Sequence, residues 1–214
     1  MPRERTELTR LPKAFRNQGK IFVLAYEGNH TEPQYYEALK ETLKHKEFTL
    51  HIESLKRSKN DTNSAPKHVF KALKEKQREF NFRKSDEFWM IIDKDDWKHD
   101  EWVKKCESES NFHIALSNPT FELWLLLHVV DVSKLSKEII DEIEKNRKIS
   151  RKKRYLERFL AEKLNGYSKT KVPTDQILPY LENAIDQAEK LDVGDIRTNM
   201  GSHNYKLVKK FLVD

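Results

Sequence analysis

Two apolar runs, about 65 residues apart, constrain this chain more than any other feature. Ile21-Phe22-Val23-Leu24-Ala25-Tyr26 ends abruptly on Glu27 and Gly28, and Phe88-Trp89-Met90-Ile91-Ile92 ends on Asp93-Lys94-Asp95-Asp96. Continuous apolar runs of this length read as strands buried on both faces of a parallel sheet. In open α/β sheets, ligands bind beyond the carboxyl ends of the strands. Neighbouring strands would therefore bring Glu27, Asp93 and Asp95 to one sheet edge. Two carboxylates about 4 Å apart repel by roughly 4 kcal/mol at an effective dielectric near 20. Such a cluster calls for a shared proton or a divalent cation, and the second option points to Mg²⁺-dependent phosphoryl transfer.

The rest of the chain supplies a frame for these runs. Thr31 reads as a helix N-cap, with Pro33 just inside, Gln34 at the capping-box position, and Tyr36, Leu39 and Leu43 at helical spacing. Phe48–Leu55 reads as a second strand, 56–66 as a polar loop, and Lys67–Phe80 as a helix with Val69, Leu73 and Phe80 inward. Glu87–Ile92 is the third strand, Trp97–Ser108 a short helix and Phe112–Leu116 the fourth strand. The β-α-β-α-β-α-β order predicts a mostly parallel four-stranded sheet flanked by helices. Thr120–Val130 reads as a helix apolar nearly all round, and so buried. From Ser133 the chain turns helical and highly charged, with helices expected from Thr174 to about Leu191 and over Ser202–Val213. The expected organisation is a basic N-terminal arm at 1–19, an α/β core at 20–132, and a helical extension at 133–214 packed on the core.

Composition excludes several chemistries. Cys106 is the lone cysteine, the eight histidines are scattered, and no His-Glu-x-x-His occurs, so zinc is not expected. There is no P-loop, no dinucleotide fingerprint and no nucleophile elbow. The charged N-terminal sequence lacks a signal-peptide core, and Leu123–Val130 is too short to span a bilayer. A soluble cytoplasmic protein with no membrane partner is the expectation. A net charge of +6 and a pI near 9.1 are compatible with a polyanionic partner.

Each candidate residue has a plainer reading beside the functional one. Glu27 alone is a turn carboxylate before a glycine; Asp95 or Asp96 can cap the next helix. Following two strands in a βα alternation, Glu27, Asp93 and Asp95 read together as an acidic centre. Glu122, near the start of a buried helix, either pairs in a site or answers the helix dipole. Glu32 reads as a first-turn dipole partner, and Asn118 as a turn residue or a phosphate-positioning group. The run 145–154 holds seven basic residues and no acid; Lys148, Arg151, Lys152, Lys153 and Arg154 read as phosphate contacts or as a solvated helix face. Tyr167 and Lys169 can contact nucleic acid by stacking and charge, and Lys169 can instead offset charge on a phosphorane. Trp89 and Trp124 read as core, and Cys106 as no nucleophile.

Three segments together resemble a known family: Glu27-Gly28-Asn29-His30-Thr31-Glu32-Pro33-x-Tyr35-Tyr36, then Asp93-x-Asp95, then Ser117-Asn118-Pro119-x-Phe121-Glu122-Leu123-Trp124 continuing to His128. They are similar to the RloB family of prokaryotic proteins, over roughly residues 20–214. Tyr167-x-Lys169 and Thr198-Asn199-Met200-Gly201-Ser202 resemble family segments more weakly; Met200 and Gly201 depart from the usual form. The resemblance implies a Toprim-like domain in which Glu27, Asp93 and Asp95 bind Mg²⁺ or Mn²⁺, with Glu122 close by. It further implies a nuclease acting on DNA or RNA, including tRNA, in antiviral defence and abortive infection beside a separate ATPase. Topoisomerase or primase chemistry ranks lower, because the chain is short and lacks zinc-ribbon cysteines. The rival from another class is a non-catalytic nucleic-acid- or protein-binding regulatory module, with the basic helical lobe carrying the function.

Overall fold

A computed structural model describes residues 19–44, 50–55, 66–79, 81–94, 100–151 and 153–213. The expectations for the N-terminal arm, Phe48, the polar loop after Leu55, Phe80, Asp95, Asp96, Trp97 and Lys152 lie outside the described residues. The body of the sheet is four parallel strands: β1 (Lys20–Tyr26), β2 (Leu50–Leu55), β3 (Glu87–Asp93) and β4 (Phe112–Asn118). Phe22, Leu24 and Tyr26 enter one hydrophobic cluster, and Ile21, Val23 and Ala25 enter the other. Trp89 and Ile91 are divided from Phe88, Met90 and Ile92 in the same way. With both faces covered, no position along these strands needs a polar side chain, hence the unbroken apolar runs.

One face is covered by α1 (Thr31–Thr42), α4 (Phe121–Val129) and α9 (Asn204–Val213); the other is covered by α2 (Pro66–Glu79) and α3 (Asp100–Glu107). Outside α4 lies a second helical layer: α5 (Lys137–Lys145), α6 (Tyr155–Lys163), α7 (Thr174–Ile177) and α8 (Leu181–Leu191). α6 and α8 pack directly on α4, which is why Phe121 to His128 are all buried. One hydrophobic cluster runs from β1 and β3 through α4 into these helices, so the segment after residue 132 shares a core with the sheet. No helix among the described residues is long and apolar enough to cross a membrane.

The strand order is β2-β1-β3-β4-β5. From β1 the chain steps outward to β2 and then crosses back to β3, so the switch point lies between the carboxyl ends of β1 and β3. The fifth strand corrects the four-stranded expectation. β5 (Gly201–Ser202) runs antiparallel to Ser117 and Asn118, and α9 starts after it, at Asn204 instead of Ser202. A two-residue strand is too short to display an alternating pattern. Side chains tie it down instead. The Asn204 Nδ2 donates to the hydroxyls of Ser117 and Ser202, both at 2.9 Å, while its Oδ1 accepts from the Tyr36 hydroxyl at 2.6 Å.

Three local expectations also shift. The helix from Thr174 to Leu191 is interrupted by a 3₁₀ turn at Leu178–Tyr180, where Pro179 has no N–H to donate. The basic run is not a helix face. Asn146 ends α5 in the left-handed region (φ 39°), and Lys148 bridges to Arg154 to close a short hairpin. The buried Asn146 side chain then accepts the Leu156 N–H at 3.0 Å, capping α6 from outside the helix. Thr31 does not cap α1: it is the first helical residue, and its hydroxyl donates to the Lys169 carbonyl at 3.3 Å.

Candidate active site

Glu27 and Asp93 meet at the switch point. The Glu27 N–H continues the sheet ladder by donating to the Ile91 carbonyl (2.9 Å), and its Oε2 accepts the Asp93 N–H at 3.0 Å. Asp93 Oδ1 in turn accepts the Phe121 N–H at 2.8 Å, at the N-terminus of α4. Thr120, at the N-cap of that helix, makes no capping bond, so Asp93 performs that task from a neighbouring strand. Both groups are thus pinned by main chain, and carboxylate oxygens are ligands that hard cations prefer.

A lysine sits among further acids. Glu122, one residue into α4 and 4% exposed, accepts from the Tyr167 hydroxyl at 3.3 Å and faces Lys169 Nζ at 3.5 Å. Lys169 also pairs with Glu157 of α6 at 2.8 Å. Burial works against its ammonium, but Glu122 and Glu157 outweigh burial and Asp93 adds to them, so Lys169 is held above the usual lysine range. Tyr167 is buried, and burial, with Glu122 and Glu157 beside it, keeps its phenol neutral and donating. The loop carrying both residues is fastened to α1. The Lys169 carbonyl also accepts from Gln34 Nε2 (3.3 Å), and Gln34 Oε1 accepts the Val172 N–H (3.2 Å).

Glu32 completes the cluster. It lies in the first turn of α1, 5% exposed, with its carboxyl turned back on the backbone N–H groups of Gly28 and of Glu32 itself. A side chain at position 28 would occupy the space of that carboxyl. Burial, with the Glu122 charge alongside, pushes Glu32 up to about 7 against the opposing backbone bonds and Lys169. Near neutral pH this carboxyl therefore keeps a proton far more readily than an ordinary glutamate.

The expected site residues therefore separate. Glu27, Asp93, Glu122 and Lys169 come together, and Asp95 and Lys152 lie outside the described residues. Lys148, Arg151 and Lys153 stand exposed on the hairpin, which leads directly into α6 and so into Glu157. Arg154 is partly buried and donates to the Asn146 carbonyl at 3.2 Å, a structural contact. Tyr167 is no stacking platform; its ring is inside and its hydroxyl serves Glu122. Sequence reasoning read Glu32 as a first-turn dipole partner and did not single out Glu157. The close pairing of Gly28 with Glu32 held a clue to the first; Glu157 sits in a helix of ordinary charge pattern with none. Among the described residues no three His, Cys, Asp or Glu side chains already stand in metal-ligating geometry. Glu27 and Asp93 supply carboxylate oxygens of the kind that Mg²⁺ or Mn²⁺ prefers. A cavity of about 1110 Å³ lies away from this cluster, between the C-terminal end of α4, α5 and α8. It holds none of these acids.

No curated protein and no solved structure matches the chain. A family model does, described as RloB-like protein, from Phe22 to Phe211. With nearly all of the sheet, the acidic cluster and the helical layer inside that match, the chain belongs to the RloB-like protein family.

Proposed function

We propose that this protein is a Toprim-like, metal-dependent nuclease that hydrolyses a phosphodiester of DNA or RNA. The observation that carries the reading is the placement of both carboxylates at the switch point of the sheet, with Glu27 pinned to the end of β3 through the Asp93 N–H and Asp93 pinned to the N-terminus of α4 through the Phe121 N–H. Glu27 and Asp93, with Asp95, are the residues that would hold Mg²⁺ or Mn²⁺. Such an ion supplies Lewis acidity toward a phosphoryl oxygen. Glu32, poised near neutrality, takes a proton from the attacking water or returns one to the leaving oxygen as the P–O bond breaks. Lys169 offsets the negative charge that grows on the phosphoryl oxygens. Exposed Lys148, Arg151 and Lys153 hold the nucleic-acid backbone. Membership of the RloB-like family supports a place in antiviral defence beside a separate ATPase.

The test is incubation of the full chain with DNA, RNA and tRNA in Mg²⁺ or Mn²⁺. Cleavage should vanish with a chelator and fall by about 100-fold or more in Glu27→Gln and in Asp93→Asn. Undiminished cleavage by both variants refutes the centre. A second reading, a regulatory binding module without hydrolysis, is favoured by the exposed basic hairpin together with the partial neutralisation of the acids by Lys169. Binding that weakens steeply with salt, yields no product and tolerates Glu27→Gln selects it.

A further inference from the structure

The outer edge of β4 is only partly used. In the parallel ladder the Phe88 N–H donates to the Asn111 carbonyl and the Lys94 N–H to the Ser117 carbonyl. The odd-numbered residues of β4 therefore bond to β3, and Phe112, Ile114 and Leu116 turn their main-chain groups to the opposite side. There β5 pairs only with Ser117 and Asn118. The Phe112 N–H turns back to the Glu109 carbonyl (3.2 Å), and the Leu116 carbonyl accepts from the His203 N–H (2.8 Å). Among the described residues, the Phe112 carbonyl, both groups of Ile114 and the Leu116 N–H have no main-chain partner.

A cavity of about 770 Å³ follows this edge. Its lining takes Phe112, Ile114 and Leu116 from one face of the sheet, and Trp89 and the His113 stacked on it from the other. The turn at 192–197 forms further wall. A slot that wraps both faces of a strand and exposes its unpaired edge has the shape of a strand acceptor. From Phe112 to Leu116 the edge is about 13 Å long, enough for roughly five extended residues. The charges on the wall select further. Glu109 pairs with Lys74, Asp192 with His203 and Lys206, and Asp195 with Arg197. Glu107 is the wall carboxylate without an ion pair among the described residues.

We propose that this slot receives an extended segment of a partner protein, bearing a basic side chain toward Glu107, which adds to β4 in line with β5. Main-chain bonds to Ile114 and Leu116 supply affinity, and Glu107 supplies preference. The proposal is independent of the hydrolytic reading.

The experiment uses the full chain. Amide exchange of the free protein should show Ile114 and Leu116 exchanging faster than Ala115, whose N–H is inside the ladder. A random dodecapeptide display library should then yield basic peptides that slow exchange at Ile114 and Leu116 on binding. Ile114→Pro removes only an outward N–H, and it should weaken those peptides by about tenfold or more. Glu107→Lys, on the rim and away from the ladder, should also weaken them whether or not the proline variant folds well. Ile114 and Leu116 amides as slow as Ala115 in the free protein would overturn the proposal. So would selected peptides that leave those amides unchanged, or that bind Glu107→Lys as tightly as the parent.

Discussion

Glu32→Gln should stabilise the protein in neutral and alkaline solution, with the gain vanishing in acid. The folded chain holds the Glu32 carboxyl at about 7, against an ordinary value of 4.5, with burial as the first cause. Between those two values the folded state keeps a proton that the unfolded chain has released. Stability therefore falls as pH rises through this window, by about 1.4 kcal/mol per pH unit. The favourable neutral form is intact below pH 4.5, and the loss is complete above pH 7, at about 3 kcal/mol in all. Glutamine mimics the protonated carboxyl, keeps an oxygen for the Gly28 N–H and does not titrate. Urea denaturation of both proteins from about pH 4.5 to 8 measures the difference directly. It should grow from near zero at the acid end to about 3 kcal/mol at about pH 7.5. A difference that stays flat across the range, or that favours the parent at neutral pH and above, refutes the buried-proton account.

Other substitutions separate structure from chemistry. Lys169→Met should lower stability by about 1–3 kcal/mol, less than a fully buried pair would lose because the lysine is half exposed. A melting curve should show the loss and Glu122→Gln should restore part of it; additive losses in the double variant would contradict the pairing. Asp93→Ala should cost about 1 kcal/mol by uncapping α4, and Asp93→Asn much less, as read by denaturant midpoint. If nucleic acid is bound, replacing Lys148, Arg151 and Lys153 with Ser should flatten the plot of log affinity against log salt. The slope should change by about 0.9 for each duplex phosphate that these side chains neutralise. An unchanged slope by fluorescence anisotropy would remove the hairpin from the interface.

What was legible in the sequence follows from what each signal depends on. β1 and β3 were readable because two-sided burial leaves an unbroken apolar run, and Glu27 and Asp93 because each follows such a run directly. α4 was readable as a buried helix because it is sandwiched between the sheet and α6 and α8. β5 was not, since it is two residues held by Ser117, Ser202 and Asn204 from separate segments. The hairpin at 148–154 was mistaken for a helix face because it depends on the left-handed turn at Asn146 and its remote cap on α6, neither of which has a periodicity. Glu32 and Glu157 join the site only through tertiary contacts of Lys169 and Glu122. Tyr167 was read as a stacking contact for nucleic acid, and only the fold shows its ring turned inward.

Anomalous diffraction from Mn²⁺-soaked crystals of the full chain tests the central claim most directly. A single peak shared by the carboxylates of Glu27 and Asp93, absent from crystals of Asp93→Asn, is the predicted result. No peak between Glu27 and Asp93 at saturating Mn²⁺ would contradict it.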